Sequence, residues 1–324
     1  MRGGTRRYTA VHFGMRVRVA SGAALLLAAG VVGCAPEAVR WTGDAVPLPG
    51  SLGAGRTLVL LGAPTRPTPA VAAVIAPTRG LPALGPGACL GSVRWARAGA
   101  TDVAVAWWVA RADSSVALRV ARTRDDGAHW EDLPPADTRD RGVRGCARPA
   151  PSLAYDPAHG ATHLAYYLEP ADGAGVFYVH AQDPSPTAAP VFHAPVTIVY
   201  GGTPVEASVA AAGDLVAVAY VDPNGAVSNV DLALSRTAGH IFEPRVDVSG
   251  RDVAAGGPAV ALADGTVAVA WTEHGVQPES GAAEVSAGAD GGARRVGRGD
   301  ARTMVQIGTV AGTGSAPGER GGDG

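Results

Sequence analysis

The chain has 324 residues, with 27 basic groups, 29 acidic groups and a formal net charge of −2 at pH 7. Every basic group is Arg and Lys is absent, which excludes phosphate loops that end in Gly-Lys-Ser/Thr and enzymes that form a Schiff base through a side-chain amine. Hydrophobic residues make up 47% of the chain and charged residues 17%, a balance that predicts a folded domain with a substantial core.

The first predicted element is an export signal. Arg16 and Arg18 precede an uncharged run at Val19–Val32, which is too short for a bilayer span of about 20 residues. A basic start, a short apolar centre and small residues at the end are typical of a secretory signal. The closing Val-Val-Gly-Cys resembles the lipobox of bacterial lipoproteins, which implies cleavage before Cys34 and lipidation of that residue.

We therefore assign residues 1–33 to the signal, with Met15 as the expected start, and residues 34–55 to a linker. The first 33 residues hold five Arg and no acid, so the processed chain would carry a charge of −7, which argues against nucleic acid as a partner. The expected location is the bacterial cell envelope, periplasmic or on the outer surface. The expected partners are a membrane, through the lipid, and a glycan or envelope protein.

Two cysteines remain once Cys34 is lipidated, namely Cys89 and Cys146. An even pair in an oxidising compartment favours a disulfide. Closing a loop with their 57-residue separation would stabilise the fold by roughly 4 kcal/mol. Two buried free thiols are the alternative.

The middle of the chain repeats at intervals of about 55 residues. Four alternating apolar segments end in Ala and an aromatic residue, and these aromatic residues are 59, 54 and 51 positions apart. The segments are Val103–Trp107, His163–Tyr166, Leu215–Tyr220 and Thr266–Trp271. A short apolar run precedes each segment and another follows it. Short antiparallel strands repeated at this length predict an all-β propeller of four-stranded blades.

Clear repeats cover residues 88–275, and Thr57–Leu61 with Ala70–Ala76 supply two strands of an incomplete further blade, so the propeller is placed at 56–275. A weak third strand of the last unit is expected at Ala283–Ser286. From residue 276 onward the chain has no aromatic residue and many Gly and Arg. Residues 276–324 are therefore predicted to be disordered or the product of a frame shift.

The turn after the third strand carries a motif of the pattern Ser/Thr-x-Asp-x-Gly-x-x-Trp. The first copy consists of Thr123, Asp125, Gly127 and Trp130, and a degenerate copy consists of Ser235, Gly239 and Phe242. This pattern resembles the Asp-box, or BNR, repeat of sialidase-like propellers. The resemblance implies six blades, of which four are recognisable here, and structural roles for the motif. The hydroxyl and carboxylate would tie the hairpin, the Gly would supply a positive φ and the aromatic ring would pack between blades.

Meander connectivity predicts where a site would lie. The loop after the second strand and the loop that leads into the first strand share one end of the channel, opposite the Asp-box turns. The candidate pocket at that end consists of Arg94, Arg111, Asp113, Arg148, Glu169, Glu206, Glu273 and His274, with Asp172, Asp222 and Asn224 in equivalent loops. For each residue alone, a solvated loop side chain is the alternative.

The resemblance also implies a sialidase-like glycoside hydrolase, in which three Arg hold the substrate carboxylate and a Tyr nucleophile pairs with Glu. The Phe/Tyr-Arg-Ile-Pro motif of that family is absent and no aromatic residue follows Trp271, so no catalytic residue is assigned. His159 and His163 do not lie on a common helical face, so no metal or cofactor is predicted. The sequence favours a lipid-anchored envelope propeller that binds a glycan or protein, with an exo-α-sialidase-like hydrolase and a non-catalytic scaffold as alternatives.

Overall fold

The computed structural model describes residues 37–49, 52, 56–62, 67–156, 159–182, 190–274 and 301–311. The expected signal, its start at Met15, the lipidation site Cys34 and the expected strand at Ala283–Ser286 lie outside the described residues. Within them the chain forms twenty β-strands and one short 3₁₀ helix, Leu90–Ser92. None of the described helical segments has the length and apolar character needed to cross a bilayer.

The strands occupy most of the described chain. In chain order they are β1 (Val39–Trp41), β2 (Val46–Pro47), β3 (Arg56–Leu61), β4 (Thr68–Ala73), β5 (Arg94–Ala98), β6 (Asp102–Ala110), β7 (Val116–Thr123), β8 (Glu131–Asp132), β9 (Ser152–Asp156), β10 (Ala161–Leu168), β11 (Gly175–Gln182), β12 (Val191–Phe192), β13 (Val196–Tyr200), β14 (Ala207–Ala212), β15 (Leu215–Asp222), β16 (Asn229–Ser235), β17 (Val246–Asp247), β18 (Ala254–Ala263), β19 (Thr266–His274) and β20 (Arg302–Val310).

Four sheets are antiparallel meanders that repeat along the chain. Blade I has the strand order β5-β6-β7-β8, blade II has β9-β10-β11-β12 with β13 also paired to β11, and blade III has β14-β15-β16-β17. Blade IV has β18-β19-β20-β1, with β2 also paired to β20. The first strands of neighbouring blades contact one another, β5 with β9, β9 with β14 and β14 with β18. The fold is the all-β propeller that the repeat predicted.

A smaller two-stranded sheet, β3-β4, packs against β18 and β19 of blade IV. Its strands correspond to the two strands of the incomplete blade predicted from the sequence. The described residues therefore form four full blades and one two-stranded sheet, and not the six blades that the sialidase resemblance implies.

Blade IV combines strands from two distant parts of the chain. One edge of β20 pairs with β19, where Arg302 lies opposite Glu273. The other edge pairs with the first strands of the described chain, where Val39 lies opposite Val310. The N-terminal segment therefore completes the last blade.

Two predictions from the sequence are corrected by this sheet. The sequence predicts a linker at residues 34–55, whereas the structure places β1 and β2 there. It also predicts disorder throughout residues 276–324, whereas β20 lies in that range and is the third strand of its blade. The physical reason is that Met304, Val305 and Val310 are buried in the blade although the surrounding composition is rich in Gly and Arg. A composition averaged over a long window hides a nine-residue strand.

The aromatic residue that ends each repeat is buried on the second strand of its blade. Trp107, Tyr166, Tyr220 and Trp271 lie on β6, β10, β15 and β19, and each is at most 2% exposed. Tyr220 and Trp271 belong to a continuous apolar core that joins blades II, III and IV. The repeat is visible in the sequence because every blade needs a large side chain at this position to fill the space beside its neighbour.

Serine hydroxyls on the first strands connect neighbouring blades. Ser152 Oγ on β9 accepts the N–H of Val209 on β14 at 3.0 Å, and Ser208 Oγ on β14 accepts the N–H of Val260 on β18 at 3.2 Å. First strands of different blades do not pair as a sheet, so these bonds satisfy backbone groups that would otherwise lack a partner. The two bonds are one repeat apart and fix the wall of the central channel.

The turn between β7 and β8 has the hydrogen bonds that its residues predict. Thr123 Oγ1 accepts the N–H of Gly127 at 3.0 Å, and Asp125 Oδ1 accepts the N–H of His129 at 2.9 Å. Gly127 has a φ of 91°, a conformation that a residue with a Cβ rarely adopts. The side chains of the motif therefore stabilise a tight turn.

The degenerate copy between β16 and β17 keeps the same arrangement with different chemistry. Ser235 Oγ accepts the N–H of Gly239 at 3.0 Å, and Thr237 Oγ1 accepts the N–H of Ile241 at 2.9 Å. The φ of Gly239 is 89°. A threonine hydroxyl thus takes the place of the aspartate carboxylate, which is why the turn persists although the motif is hard to see in the sequence.

Cys89 and Cys146 are joined by a disulfide, the pairing that the sequence favours, and their Cα atoms are 5.3 Å apart. Cys89 directly precedes the 3₁₀ helix that leads into β5, and Cys146 precedes β9. The bond therefore links the segments that lead into the first strands of blades I and II.

Candidate functional site

A cavity of about 700 Å³ lies where the first strands of the five sheets begin. Each sheet contributes to its wall, and the contributions include Thr57 of β3, Trp95 of β5, Leu153 of β9, Ala207 of β14 and Ala259 of β18. Small-molecule sites in proteins have volumes of about 300–1,000 Å³, so the cavity can hold a small organic ligand. This is the end of the channel at which the connectivity predicts a site, opposite the two hydrogen-bonded turns.

The charged side chains among the described lining residues are Arg56, Arg94 and Glu206. Arg94 donates through Nη1 to the carbonyl oxygens of Gly91 at 3.1 Å and Val93 at 2.9 Å, which anchors its guanidinium beside the 3₁₀ helix. Burial lowers the pKa of Arg94 and the carboxylate of Glu206 raises it. Because guanidinium groups stay protonated in proteins, the described lining carries two positive charges and one negative charge.

Much of the remaining wall is apolar. Leu81, Leu84 and Val93 line the cavity together with the indole of Trp95. The indole N–H of Trp95 is buried and has no hydrogen-bond partner among the described residues. Apolar walls with a few convergent polar groups are the usual composition of a ligand site, because the walls exclude water and the polar groups orient the ligand.

Two residues of the predicted pocket, Arg94 and Glu206, line this cavity. The prediction is corrected for the other residues, none of which lines it. These are Arg111, Asp113, Arg148, Glu169, Glu273 and His274, together with Asp172, Asp222 and Asn224.

Most of these side chains connect loops at the same end of the propeller. Arg148 Nη2 lies 3.0 Å from Asp140 Oδ2 in an ion pair whose side chains are both fully buried. Glu169 Oε1 lies 2.9 Å from Arg144 Nε. Asp113 Oδ1 accepts the N–H and the O–H of Ser115 at 3.0 and 2.6 Å. The carboxylates of Asp140 and Asp113 are held by neighbouring groups, whereas Glu169 uses only Oε1 in this way and its Oε2 is buried without a hydrogen-bond partner among the described residues.

Two further residues of the predicted pocket are also hydrogen-bonded to neighbouring groups. Glu273 Oε2 accepts a hydrogen bond from Arg302 Nε at 2.9 Å, which links β19 to β20. Arg111 Nη2 donates to the carbonyl oxygen of Thr138 at 3.1 Å. His274 is exposed at the end of β19.

Asp125 lies at the opposite end of blade I, and its carboxylate is used by the turn. Its Oδ1 accepts from Thr123 Oγ1 at 2.7 Å, and its Oδ2 lies 2.6 Å from His129 Nδ1. The hydrogen bonds from Thr123 and His129 hold the pKa of Asp125 well below its ordinary value. A carboxylate that is fixed in its ionised form is suited to holding a turn and not to proton transfer.

A histidine cluster lies between blades II and III, and none of its members lines the cavity. It consists of His180 on β11, His193 after β12 and His240 in the turn between β16 and β17. One ligand nitrogen of each ring lies within 4.8 Å of the other two. The ring centroids are 4.4 Å apart for His180 and His193 and 4.7 Å apart for His180 and His240. His180 is 3% exposed, whereas His193 and His240 are exposed.

Burial lowers the pKa of His180 to about 3, and the neighbouring imidazoles of His193, His163 and His240 add to this effect. The sequence gives no indication of the cluster, because its members are 13 and 47 residues apart and belong to two blades. His180 lies within the third strand of its unit, His193 follows the fourth strand and His240 lies in the turn after the third strand, so the repeat does not place them at equivalent positions. Spacing within a single motif, which is how a metal pair is usually recognised, carries no information here.

No protein-family model matches the chain, and no curated protein is significantly similar to it. Among solved structures, an α-L-arabinanase from Penicillium chrysogenum in complex with arabinobiose is 17% identical, with a TM-score of 0.40 over 57% of this chain and 59% of that one. An α-L-arabinofuranosidase from Fusarium graminearum is 13% identical, with a TM-score of 0.41 over 59% of this chain and 60% of that one. A Trypanosoma rangeli sialidase is 12% identical, with a TM-score of 0.39 over 57% of this chain and 34% of that one.

The chain therefore spans less than two thirds of the length of each of these structures. At such low identity the similarity concerns the arrangement of strands alone.

Proposed function

We propose that the chain binds an acidic saccharide in its central cavity. The observation that carries this proposal is the convergence of Arg56 and Arg94, with Glu206 as the opposing charge, on a cavity of about 700 Å³. Guanidinium groups bind carboxylates through paired hydrogen bonds of fixed geometry. The indole of Trp95 and the leucines of the wall supply apolar surface against which a sugar ring can pack.

The composition of the cavity suits binding better than hydrolysis. Most glycoside hydrolases use two carboxyl groups about 5 to 9.5 Å apart, one on each side of the scissile bond. Glu206 is the single carboxylate among the described lining residues, and no tyrosine lies among them. A sialidase-like glycoside hydrolase is the second candidate, and the position of Glu206 near Arg94 favours it, because a carboxylate beside a bound sugar can act as an acid or base.

The binding proposal is tested by titration calorimetry of the purified chain with sialyllactose and with lactose, which differ by the acidic sugar. We expect binding of sialyllactose alone, weakened by at least about tenfold in Arg94→Gln because a charged hydrogen-bond donor is lost. Arg111→Gln is the matched control, since Arg111 lies at the same end of the channel but outside the cavity. Equal binding of both sugars, or an unchanged affinity in Arg94→Gln, would show that the proposal is wrong.

Hydrolysis is tested separately with fluorogenic sialosides and arabinosides. Activity that is lost in Glu206→Gln and kept in Glu273→Gln would favour the second candidate. If neither sugar binding nor hydrolysis is found and the chain purifies in fixed stoichiometry with one envelope protein, the scaffold alternative gains support.

We also propose that the chain is exported and anchored through a lipid on Cys34. The support is the charged, apolar and small-residue order of residues 16–34 together with the Cys89–Cys146 disulfide, because disulfides persist mainly in compartments outside the cytosol. Processing that is blocked by globomycin, and by Cys34→Ala, is the expected result. Processing that is insensitive to both would exclude the anchor.

A further inference from the structure

We propose that His180, His193 and His240 form a binding site for a divalent transition-metal ion, with Zn²⁺ as the preferred ion. Neutral imidazole is a preferred ligand of Zn²⁺, which binds nitrogen at about 2.0–2.1 Å in tetrahedral geometry. That geometry places ligand nitrogens about 3.3 Å apart. The three ring nitrogens already lie within 4.8 Å of one another, so each pair would have to approach by at most about 1.5 Å to close the site.

The buried member of the cluster points to a ligand that the protein itself does not supply. His180 is 3% exposed, and its Nε2 atom is buried without a hydrogen-bond partner among the described residues. An unsatisfied buried polar atom costs free energy, and such atoms are rare in folded proteins. A metal ion at this position would accept the lone pair of the imidazole.

Backbone contacts hold the other two ligands close to His180. The N–H of His193 donates to the carbonyl oxygen of His180 at 2.9 Å. The N–H of His240 donates to the carbonyl oxygen of Thr237 at 3.1 Å, within the hydrogen-bonded turn of blade III. Only the side-chain torsions of the two exposed histidines therefore remain to be fixed when an ion binds.

The turn that carries His240 is itself seated on blade II. A Cβ added at Gly239 would overlap Tyr178 Oη, so the glycine backbone packs directly against the tyrosine ring. Phe242 contacts the same ring edge to face, with centroids 4.9 Å apart. Tyr178 Oη in turn shares a hydrogen bond of 2.6 Å with His163 Nδ1. These contacts place the turn of blade III against β11, the third strand of blade II.

A bound ion would connect the two blades. His180 and His193 belong to blade II and His240 belongs to blade III, so the ion would add a cross-link to the apolar packing and the hydrogen bonds through which these blades meet. The exposure of His193 and His240 leaves the fourth position of a tetrahedral ion to water. Binding to the folded state alone raises its stability.

The proposal is tested with the full chain, purified without a polyhistidine tag and treated with a chelator. We expect calorimetry with Zn²⁺ to show one ion per chain, and Co²⁺ to give the visible absorption of a tetrahedral site. Saturating Zn²⁺ should raise the Tm. His193→Gln and His240→Gln should each weaken Zn²⁺ binding by at least about tenfold and abolish the rise in Tm. Both residues are exposed, so both variants should fold.

The matched controls are His129→Gln and His274→Gln, which remove exposed histidines outside the cluster. Both should keep the wild-type affinity for Zn²⁺. Absence of Zn²⁺ binding, or an equal loss of affinity in the controls and in the cluster variants, would overturn the proposal. These outcomes do not depend on saccharide binding, because no residue of the cluster lines the cavity.

Discussion

The central cavity and the histidine cluster both lie where neighbouring blades meet, but the chain builds them in different ways. The cavity is formed by equivalent positions of successive units, the starts of the first strands. The histidine cluster uses positions that are not repeated, on a strand, after a strand and in a turn. A structural repeat therefore determines where a shared cavity lies, whereas the chemistry between two particular blades depends on residues outside the repeat.

The largest effect is expected from removal of the disulfide, which should affect the cavity and leave the histidine cluster unchanged. In the double variant Cys89→Ser, Cys146→Ser, the free energy of unfolding should fall by roughly 4 kcal/mol, because the 57-residue loop is no longer closed in the unfolded chain. Leu90 and Val93 follow Cys89 and line the cavity, so saccharide affinity should fall as well. Urea unfolding and calorimetry measure both effects. Zn²⁺ affinity should stay near that of the wild type, and a parallel loss of Zn²⁺ binding would show that the sites are coupled.

The next effect acts on the histidine cluster. Gly239→Ala should lower the free energy of unfolding by about 3 kcal/mol, because its φ of 89° is unfavourable for Ala and the new Cβ meets Tyr178. Zn²⁺ binding should be lost, since the turn that carries His240 must move. Thermal unfolding and a Zn²⁺ titration provide the measurements.

Gly250→Ala is the matched control for this variant. Gly250 has a φ of 75°, but its added Cβ would meet nothing within 4 Å. It should lose only about 1 kcal/mol, the cost of the backbone conformation, and keep Zn²⁺ binding. If both glycine variants lose the same stability, the contact with Tyr178 is not what positions the turn.

Removal of a single polar side chain from either site should have a smaller effect on ligand affinity. Arg94→Gln should weaken binding of the acidic saccharide by about tenfold, or about 1.4 kcal/mol, and leave Zn²⁺ binding unchanged. His193→Gln should do the reverse. Calorimetry of both variants with both ligands measures the effects. A cross-effect in either direction would contradict the independence of the cavity and the cluster.

The smallest effect concerns Asp231, which lies in neither site. Its ionisation changes the stability of the fold with pH independently of both sites. Burial raises the pKa of Asp231 to about 6, and this outweighs the opposing charge of Arg245. Because its pKa is higher in the folded than in the unfolded chain, its contribution to stability is present at low pH and is lost as the pH rises from about 4 through 6.

Asp231→Asn should remove this dependence and stabilise the chain by about 1 kcal/mol at pH 7.5. Urea unfolding of both proteins at pH 5 and pH 7.5 checks the sign. A stabilisation that is larger at pH 5 than at pH 7.5 would be inconsistent with a raised pKa.

The sequence predicts the propeller because each blade needs the same buried aromatic residue, as Trp107 and Tyr220 illustrate. It also predicts the end of the channel at which the cavity lies, since strand alternation determines which loops share a face. It misplaces most of the pocket, because charged loop residues such as Arg148 and Glu169 look alike in a sequence whether they face a channel or one another. Arg148 pairs with Asp140 because the folded loops bring the two side chains together, and the sequence alone does not show this pairing.

The histidine cluster and the composition of blade IV could not be predicted for a related reason. Both depend on contacts between segments that are distant in the chain. His240 reaches His180 because a glycine turn fits against a tyrosine ring, and β20 is recognised as a strand only when its neighbours β19 and β1 are known. The periodicity of a short segment can predict a hairpin between neighbouring strands. The histidine cluster and the pairing of β20 with β1 are not hairpins, so periodicity does not predict them.

The pairing of β1 with β20 also has a consequence for the order of folding. Thr42 Oγ1 donates to the carbonyl oxygen of Ile307, 265 residues further along the chain. Closing a loop of that length costs about 5 kcal/mol of chain entropy, whereas the hairpins of blades I to III close locally. We expect blade IV to form last and to set the folding rate, as is usual for contacts of long sequence separation. Until then β20 presents an unpaired edge, so this step is where aggregation competes most strongly with folding.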